Sequence, residues 1–197
     1  MAPALPGLPA DLQNLRKRGT LILKTAIIYA TKTGTSRECA ERLAKGLCRH
    51  EVSLFELGKD KVPSLSGFDS VAVGGAIRFG KADKRLLRFL KERKSELLTV
   101  RAGYFVCCAF ADLAEEYIKE TFGKELLDGA VFAENFGGEL KPAKQKNVFA
   151  RLAVRAMIHD IEENGDSDDE SEARVMPGIV PEAIAGAADK LIKSQRD

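Results

Sequence analysis

The chain has 197 residues, 45% of them hydrophobic and 30% charged, with a formal net charge of +2. That length supports one core of ordinary size rather than two domains, and so small a charge gives no ground for a nucleic-acid partner. No stretch approaches the roughly 20 apolar residues of a membrane span. The first ten residues lack a basic start and carry three prolines, which argues against a signal peptide and for a cytoplasmic protein.

Residues 1–20 read as an unstructured extension ahead of a domain over 21–197. The run Thr25-Ala26-Ile27-Ile28-Tyr29-Ala30 predicts a buried strand, because β-branched and aromatic residues follow one another without polar interruption. The hydroxyl-rich segment Thr31-Lys32-Thr33-Gly34-Thr35-Ser36 follows, and Cys39, Ala40, Leu43, Ala44, Leu47 and Cys48 then recur at helical spacing to about residue 50. Alternation over 52–57 suits an edge strand, and Val71-Ala72-Val73 centres a second buried strand over 68–76. A helix over 83–98 carries Leu86, Leu87, Leu90, Leu97 and Leu98, and a continuous apolar strand occupies 102–108. Asp112 to Glu115 has the form of a capping box opening a third helix, a strand over 129–136 comes next, and a last helix over 181–193 has Pro181 in its first turn, where the missing amide costs nothing. The segment 137–178 is an insertion before that helix.

Strands alternating with amphipathic helices, each crossover long enough to return parallel, indicate an α/β doubly wound five-stranded parallel sheet, and such a sheet with the hydroxyl-rich loop after strand one matches the order 2-1-3-4-5. Ligands then bind at the carboxyl ends of strands one and three. Four cysteines, at 39, 48, 107 and 108, have neither metal spacing nor a disulfide framework, and His50 and His159 have no partner nearby in sequence. Buried reduced thiols are expected, with no metal site and no conventional catalytic acid, base or nucleophile.

The hydroxyl-rich loop is the most informative feature. The first amides of a helix have no intrahelical acceptor, and the helix dipole adds partial positive charge, so an anion is held there by amides and hydroxyls. Neither Gly-x4-Gly-Lys-[Ser/Thr] nor Gly-x-Gly-x-x-Gly is present. Thr35-Ser36-Arg37-Glu38 also fits a capping box, which accounts for Thr35 and Glu38 but not for the other hydroxyls or Gly34. The pattern Thr-x-Thr-Gly-x-Ser resembles the phosphate loop of the flavodoxin family, in which the 5′-phosphate of FMN rests on hydroxyls and amides. A receiver domain of the same fold needs acids at the end of strand one, where this chain has Tyr29-Ala30-Thr31.

The resemblance implies a flavin held by Thr31, Lys32, Thr33, Gly34, Thr35 and Ser36 at the phosphate, by Ala76, Ile77, Arg78, Phe79 and Gly80 after strand three, and by Cys108, Ala109 and Phe110 after strand four. Phe79 is the expected stacking residue; Phe110 reads equally as ring wall or core. The loop Gly75-Ala76-Ile77-Arg78-Phe79-Gly80, together with the insertion, is similar to one branch of that family, the flavodoxin-type, menaquinone-linked protoporphyrinogen dehydrogenases. Membership there implies FMN-dependent oxidation of protoporphyrinogen IX with electrons passed to a quinone. A non-enzymatic electron carrier docking on redox proteins is the alternative, although carriers of this family are strongly acidic and this chain is not.

Charge distribution adds detail. Residues 81–96 carry seven bases against three acids and read as a solvated helix face; 139–159 carry five bases against one acid. Within 144–161 the apolar Val148, Phe149, Leu152, Ala153, Ala156 and Met157 form one face, with Lys144, Arg151 and Arg155 on another. Such a helix suits peripheral contact with an anionic membrane, a cover over the flavin crevice whose bases meet propionates, or packing on its own domain. The eight acids of 160–172 depart from the family pattern and oppose both membrane and propionate contact. They read as a flexible acidic loop, not a calcium loop.

Overall fold

The computed structural model describes residues 22–140, 142–144, 148–164 and 177–193. The N-terminal extension and most of the acidic segment lie outside these residues. In chain order the elements are β1 (Leu23–Ala30), α1 (Thr35–Gly46), β2 (His50–Glu56), β3 (Ser70–Arg78), β4 (Lys81–Ala82), α2 (Lys84–Glu92), α3 (Lys94–Leu97), β5 (Ala102–Cys107), α4 (Ala114–Asp128), β6 (Ala133–Asn135), α5 (Val148–Asn164) and α6 (Pro181–Lys193).

The sheet order is β2-β1-β3-β5-β6, all parallel, with β4 paired antiparallel to the end of β3. Leaving out the two-residue β4, this is the expected 2-1-3-4-5 order, with β2 at the edge. The central strands are covered on both faces, which is why they read as continuous apolar runs. On one face Ile28, Val71, Val73, Tyr104 and Val106 meet Leu86, Phe89, Leu90, Ile118 and Phe122 from α2 and α4. On the other, Ile27, Ala72, Phe105 and Cys107 meet Cys39, Leu43, Leu47, Ile184 and Leu191 from α1 and α6. Cys107 and Cys108 thus fall in opposite cores, as strand alternation requires.

Several expected boundaries move. The helix expected over 83–98 is two helices broken at Arg93. Asp83 caps α2, its Oδ1 accepting from the Arg85 amide at 2.9 Å. The capping box at Asp112 does not form: Leu113 is the N-cap of α4, with no side-chain cap, and Gly123 at φ 71° kinks that helix. The strand expected over 129–136 shortens to Ala133–Asn135. At the opposite end of the sheet from these loops, Arg101 donates to the carbonyls of Leu191 and Lys190 at 2.8 and 2.9 Å and so closes the C-terminus of α6.

The stripe assigned to the insertion helix is also corrected. Val154 of α5 is buried and Met157 half-buried, while Phe149 and Leu152 are 81% and 67% exposed. Among the described side chains of α5 only Val154 and Met157 line the cleft, so the inward face there is narrower than the sequence pattern and rotated from it.

Candidate functional site

Register places the site. β1 pairs Ala30 with Gly75 of β3, and β3 pairs Ala76 with Cys107 of β5. The three strands therefore end level, and the loops after them open side by side at one carboxyl edge.

The first loop carries the helix start. Gly34 is the N-cap of α1 at φ 96°, with no side-chain cap bond, and Glu38 binds Arg42 at 2.8 Å rather than closing a capping box. The expected Thr35–Glu38 box is overturned because Thr35 is already helical and its hydroxyl cannot turn back. Thr31 Oγ1 instead accepts from the Gly34 amide at 3.0 Å and braces the turn. The first bond of the helix runs from the Glu38 amide to the Gly34 carbonyl, so the amides of Thr35, Ser36 and Arg37 are left without an intrahelical acceptor. The hydroxyls of Thr35 and Ser36 are buried with no hydrogen-bond partner of ordinary geometry among the described residues, Ser36 having the Cys107 thiol beside it. Burying such a hydroxyl costs about 1–3 kcal/mol, a deficit that an anion accepting from it would offset.

Arg85 holds this loop from beneath. Its Nη2 donates to the Thr31 carbonyl at 2.7 Å and its Nη1 to the Leu57 carbonyl at 2.9 Å. Asp83 fixes the guanidinium through both carboxylate oxygens, at 3.0 and 2.8 Å. The Arg85 bonds hold the Asp83 carboxyl below its ordinary value despite burial, which opposes them.

The second loop is a two-residue hairpin. Arg78 and Lys81 pair across it, and Phe79 and Gly80 have φ of 49° and 72°, the signs of a type I′ turn. Phe79 is the one non-glycine residue with positive φ among the described residues. A left-handed backbone costs a bulky residue about 1–2 kcal/mol. Its ring is 56% exposed and the Arg78 guanidinium lies 5.7 Å from the ring centroid.

The third loop is clamped by Asn135 from β6. Its Oδ1 accepts from the amides of Cys108 and Gly137, both at 3.0 Å, and its Nδ2 donates to the Cys108 carbonyl at 3.2 Å. The side chain extends the sheet ladder by one residue. Burial raises the Cys108 thiol, which donates to the Phe110 carbonyl at 3.2 Å, and the neighbouring Cys39 thiol, then burial, raises Cys107. Neither is poised as a thiolate.

Between these loops lies a cleft of about 310 Å³, within the range of small-molecule sites. Of the expected residues it brings together Thr33, Thr35, Ala76, Ile77, Arg78, Phe79, Gly80, Cys108, Ala109 and Phe110. Thr31, Lys32, Gly34 and Ser36 do not line it: Thr31 braces the turn, Lys32 is exposed, Gly34 shapes the N-cap and Ser36 is fully buried. Phe110 lines the cleft and also packs on the core. Sequence reasoning missed Leu113 and Tyr117 on the α4 side, Gly138 to Leu140 and Val154, whereas of its readings of the insertion helix the cover over the crevice is the one that the roof of Val154 and Met157 from α5 matches. Only the last had a visible signal, the amphipathic period of the insertion; Arg85 and Asn135 had none. Arg151 and Arg155 are exposed and do not line the cleft, contrary to the expectation that they face a ligand there. No group of three metal-ligating side chains occurs among the described residues, and no described helix is long and apolar enough to cross a membrane.

A family model described as "Flavodoxin domain" matches residues 26–169. Comparison with curated proteins found no match. Among solved structures, a flavodoxin of Streptococcus pneumoniae TIGR4 is 13% identical, with 87% of this chain and 99% of that chain covered, at a TM-score of 0.50. A short-chain flavodoxin associated with a non-canonical PDU bacterial microcompartment is 17% identical, with 88% of this chain and 99% of that one covered, at a TM-score of 0.51. At these identities the likeness is one of fold.

Proposed function

Because the chain belongs to the flavodoxin domain family, we propose that it is an FMN-binding redox protein whose flavin occupies the cleft at the carboxyl edge of β1, β3 and β5. The observation that carries this reading is the uncapped start of α1, where Thr35 lines the cleft and its hydroxyl is buried without a partner. The phosphate of FMN would be held by that hydroxyl, by Thr33 and by the amides that begin the helix, with Thr31, Gly34 and Arg85 shaping the loop. Phe79 and Phe110 would flank the ring, and Lys32 would remain in solvent. When bound, the flavin supplies the electron-transfer chemistry. The chain's part is to hold the phosphate, wall the ring and limit water.

For the reaction we infer oxidation of a small reductant, with protoporphyrinogen IX as substrate and a quinone as acceptor. This finer reading is supported by the apolar roof of Val154 and Met157, which with Leu113 and Tyr117 adds apolar surface to the cleft beyond the expected ring walls. Exposure of Phe79 favours the second reading, an electron carrier that docks on redox proteins. Reconstituting the chain with FMN, then following porphyrin fluorescence with protoporphyrinogen and a quinone, separates them. Turnover above autoxidation supports the enzyme; a flavin-loaded chain with none leaves the carrier. A chain that stays colourless after dialysis against excess FMN removes both.

A further inference from the structure

The stretch 81–96, whose sequence reads as an ordinary solvated face, has a more specific arrangement in the fold. Lys84, Leu87, Arg88 and Lys91 stand at i, i+3, i+4 and i+7 of α2 and so share one stripe. All four are exposed, Leu87 by 43%. Lys81, on β4 just ahead of them, is exposed too. None of these four cations has an ion-pair partner among the described residues, whereas Arg85, Arg93 and Lys94 are paired with Asp83, Glu96 and Glu125. The nearby acid Asp83 is engaged by Arg85, and Glu92, exposed and four residues beyond Arg88, makes no ion pair with it among the described residues. Like charges at these spacings disfavour the helix. The stripe therefore works against the fold that carries it.

Its position is equally specific. α2 begins immediately after the hairpin that carries Phe79, and Arg85 ties its first turn to the Thr31 loop. Between the parallel strands β3 and β5 this helix of nine residues, about 13 Å long, runs back toward the opposite edge of the sheet, so Lys81 and Lys84 stand at the edge that carries the cleft and Arg88 and Lys91 continue the stripe away from it. An apolar residue ringed by cations has the anatomy of a small transient interface, apolar centre and charged rim. One leucine is too little to insert into a bilayer, and a net charge of +2 is too small for general affinity to nucleic acid.

We propose that Lys81, Lys84, Arg88 and Lys91, around Leu87, form a docking surface for the acidic face of an electron-transfer protein, which this surface seats next to the Phe79 lip. The choice of a redox protein rests on the flavin reading above; the acidic character of the partner rests on the charges alone.

The test is binding of an acidic [2Fe–2S] ferredoxin, measured by calorimetry on both the flavin-free and the FMN-loaded full chain, with a basic c-type cytochrome as control. Affinity for ferredoxin is expected to fall at least tenfold between 20 and 300 mM salt, conditions that span the screening of exposed charges. A Lys84→Gln, Arg88→Gln, Lys91→Gln variant is expected to lose at least tenfold at low salt while melting at or above the wild-type temperature, and the cytochrome is expected not to bind. Absence of ferredoxin binding, or equal affinity of wild type and variant, overturns the proposal. So does stripe-dependent binding to phosphatidylserine vesicles without ferredoxin binding, self-association abolished by the variant, or ferredoxin binding that emerges only after Asp166, Asp168, Asp169 and Glu170 are changed to amides, which would mean that the chain's own acids occupy the stripe. Ferredoxin binding by a chain that never takes up FMN upholds the surface and removes the flavin reading instead.

Discussion

The guanidinium of Arg85 donates to the carbonyl of Thr31 at 2.7 Å across 54 residues of chain, joining the start of α2 to the loop that begins α1. Because the same side chain is gripped by Asp83 through two oxygens, the loop rests on a rigid bidentate pair rather than on a mobile cation. Replacing Arg85 by Ala leaves Asp83, whose side chain is 7% exposed, without its partner. The expected outcome is a stability loss of about 3 kcal/mol in urea unfolding, and FMN affinity at least tenfold weaker although Arg85 does not line the cleft. Unchanged FMN affinity in a folded Arg85→Lys variant would show that the loop does not depend on the fork geometry.

Thr31 and Thr35 make opposite predictions. Thr31→Val removes the acceptor of the Gly34 amide and should destabilise the flavin-free chain by about 1 kcal/mol. Thr35→Val replaces a buried, unpartnered hydroxyl by a methyl group and should leave the flavin-free chain as stable or up to about 1 kcal/mol more so, while weakening FMN binding. Denaturant melts paired with flavin titrations of both variants read the two effects separately; loss of stability in Thr35→Val would mean that its hydroxyl serves the fold.

Phe79 is held in a conformation that asparagine adopts readily at this turn position. Phe79→Asn should therefore raise the stability of the flavin-free chain by about 1 kcal/mol and speed loss of bound flavin. A thermal melt and a flavin-release time course check the pair. A variant both less stable and equally retentive would contradict the reading of Phe79 as a ring wall under strain.

His50 reports on the opposite end of the sheet. It is buried, and its Nδ1 lies 2.6 Å from Thr25 Oγ1, which in turn lies 2.8 Å from Ser70 Oγ. Burial, and then the charge of Arg101, lowers its pKa from 6.5, with Asp69 opposing. A histidine whose folded-state pKa is depressed binds its proton more readily when unfolded. Its contribution is therefore complete above about pH 6.5 and is lost as pH falls from there toward the lowered folded value. The melting temperature should decline through that window in the wild type, and a His50→Gln variant should lack this part of the decline.

Local pattern was enough for the strands of the sheet, the helix that follows β1 and the hydroxyl loop between them, because strand burial and helix amphipathicity are written at spacings of two and of three to four residues, while the strand order came from the resemblance of that loop and its sheet to a known arrangement. Ala76 to Gly80 and Cys108 to Phe110 were legible for the same reason: parallel strands of known order must end at one edge. What the spacing could not carry were contacts set by docking. The fork from Asp83 through Arg85 to Thr31, the amide of Asn135 extending the ladder beside Cys108, and the rotation that turns Val154 and Met157 inward while leaving Phe149 in solvent all join segments far apart in the chain. Each depends on which faces meet after the sheet has closed. The sequence alone determined which chemistry stands at the carboxyl edge; tertiary packing decided which hydroxyls brace the loop, which are left without a partner, and which wall closes over them, since an unsatisfied group is defined only once its neighbours are in place.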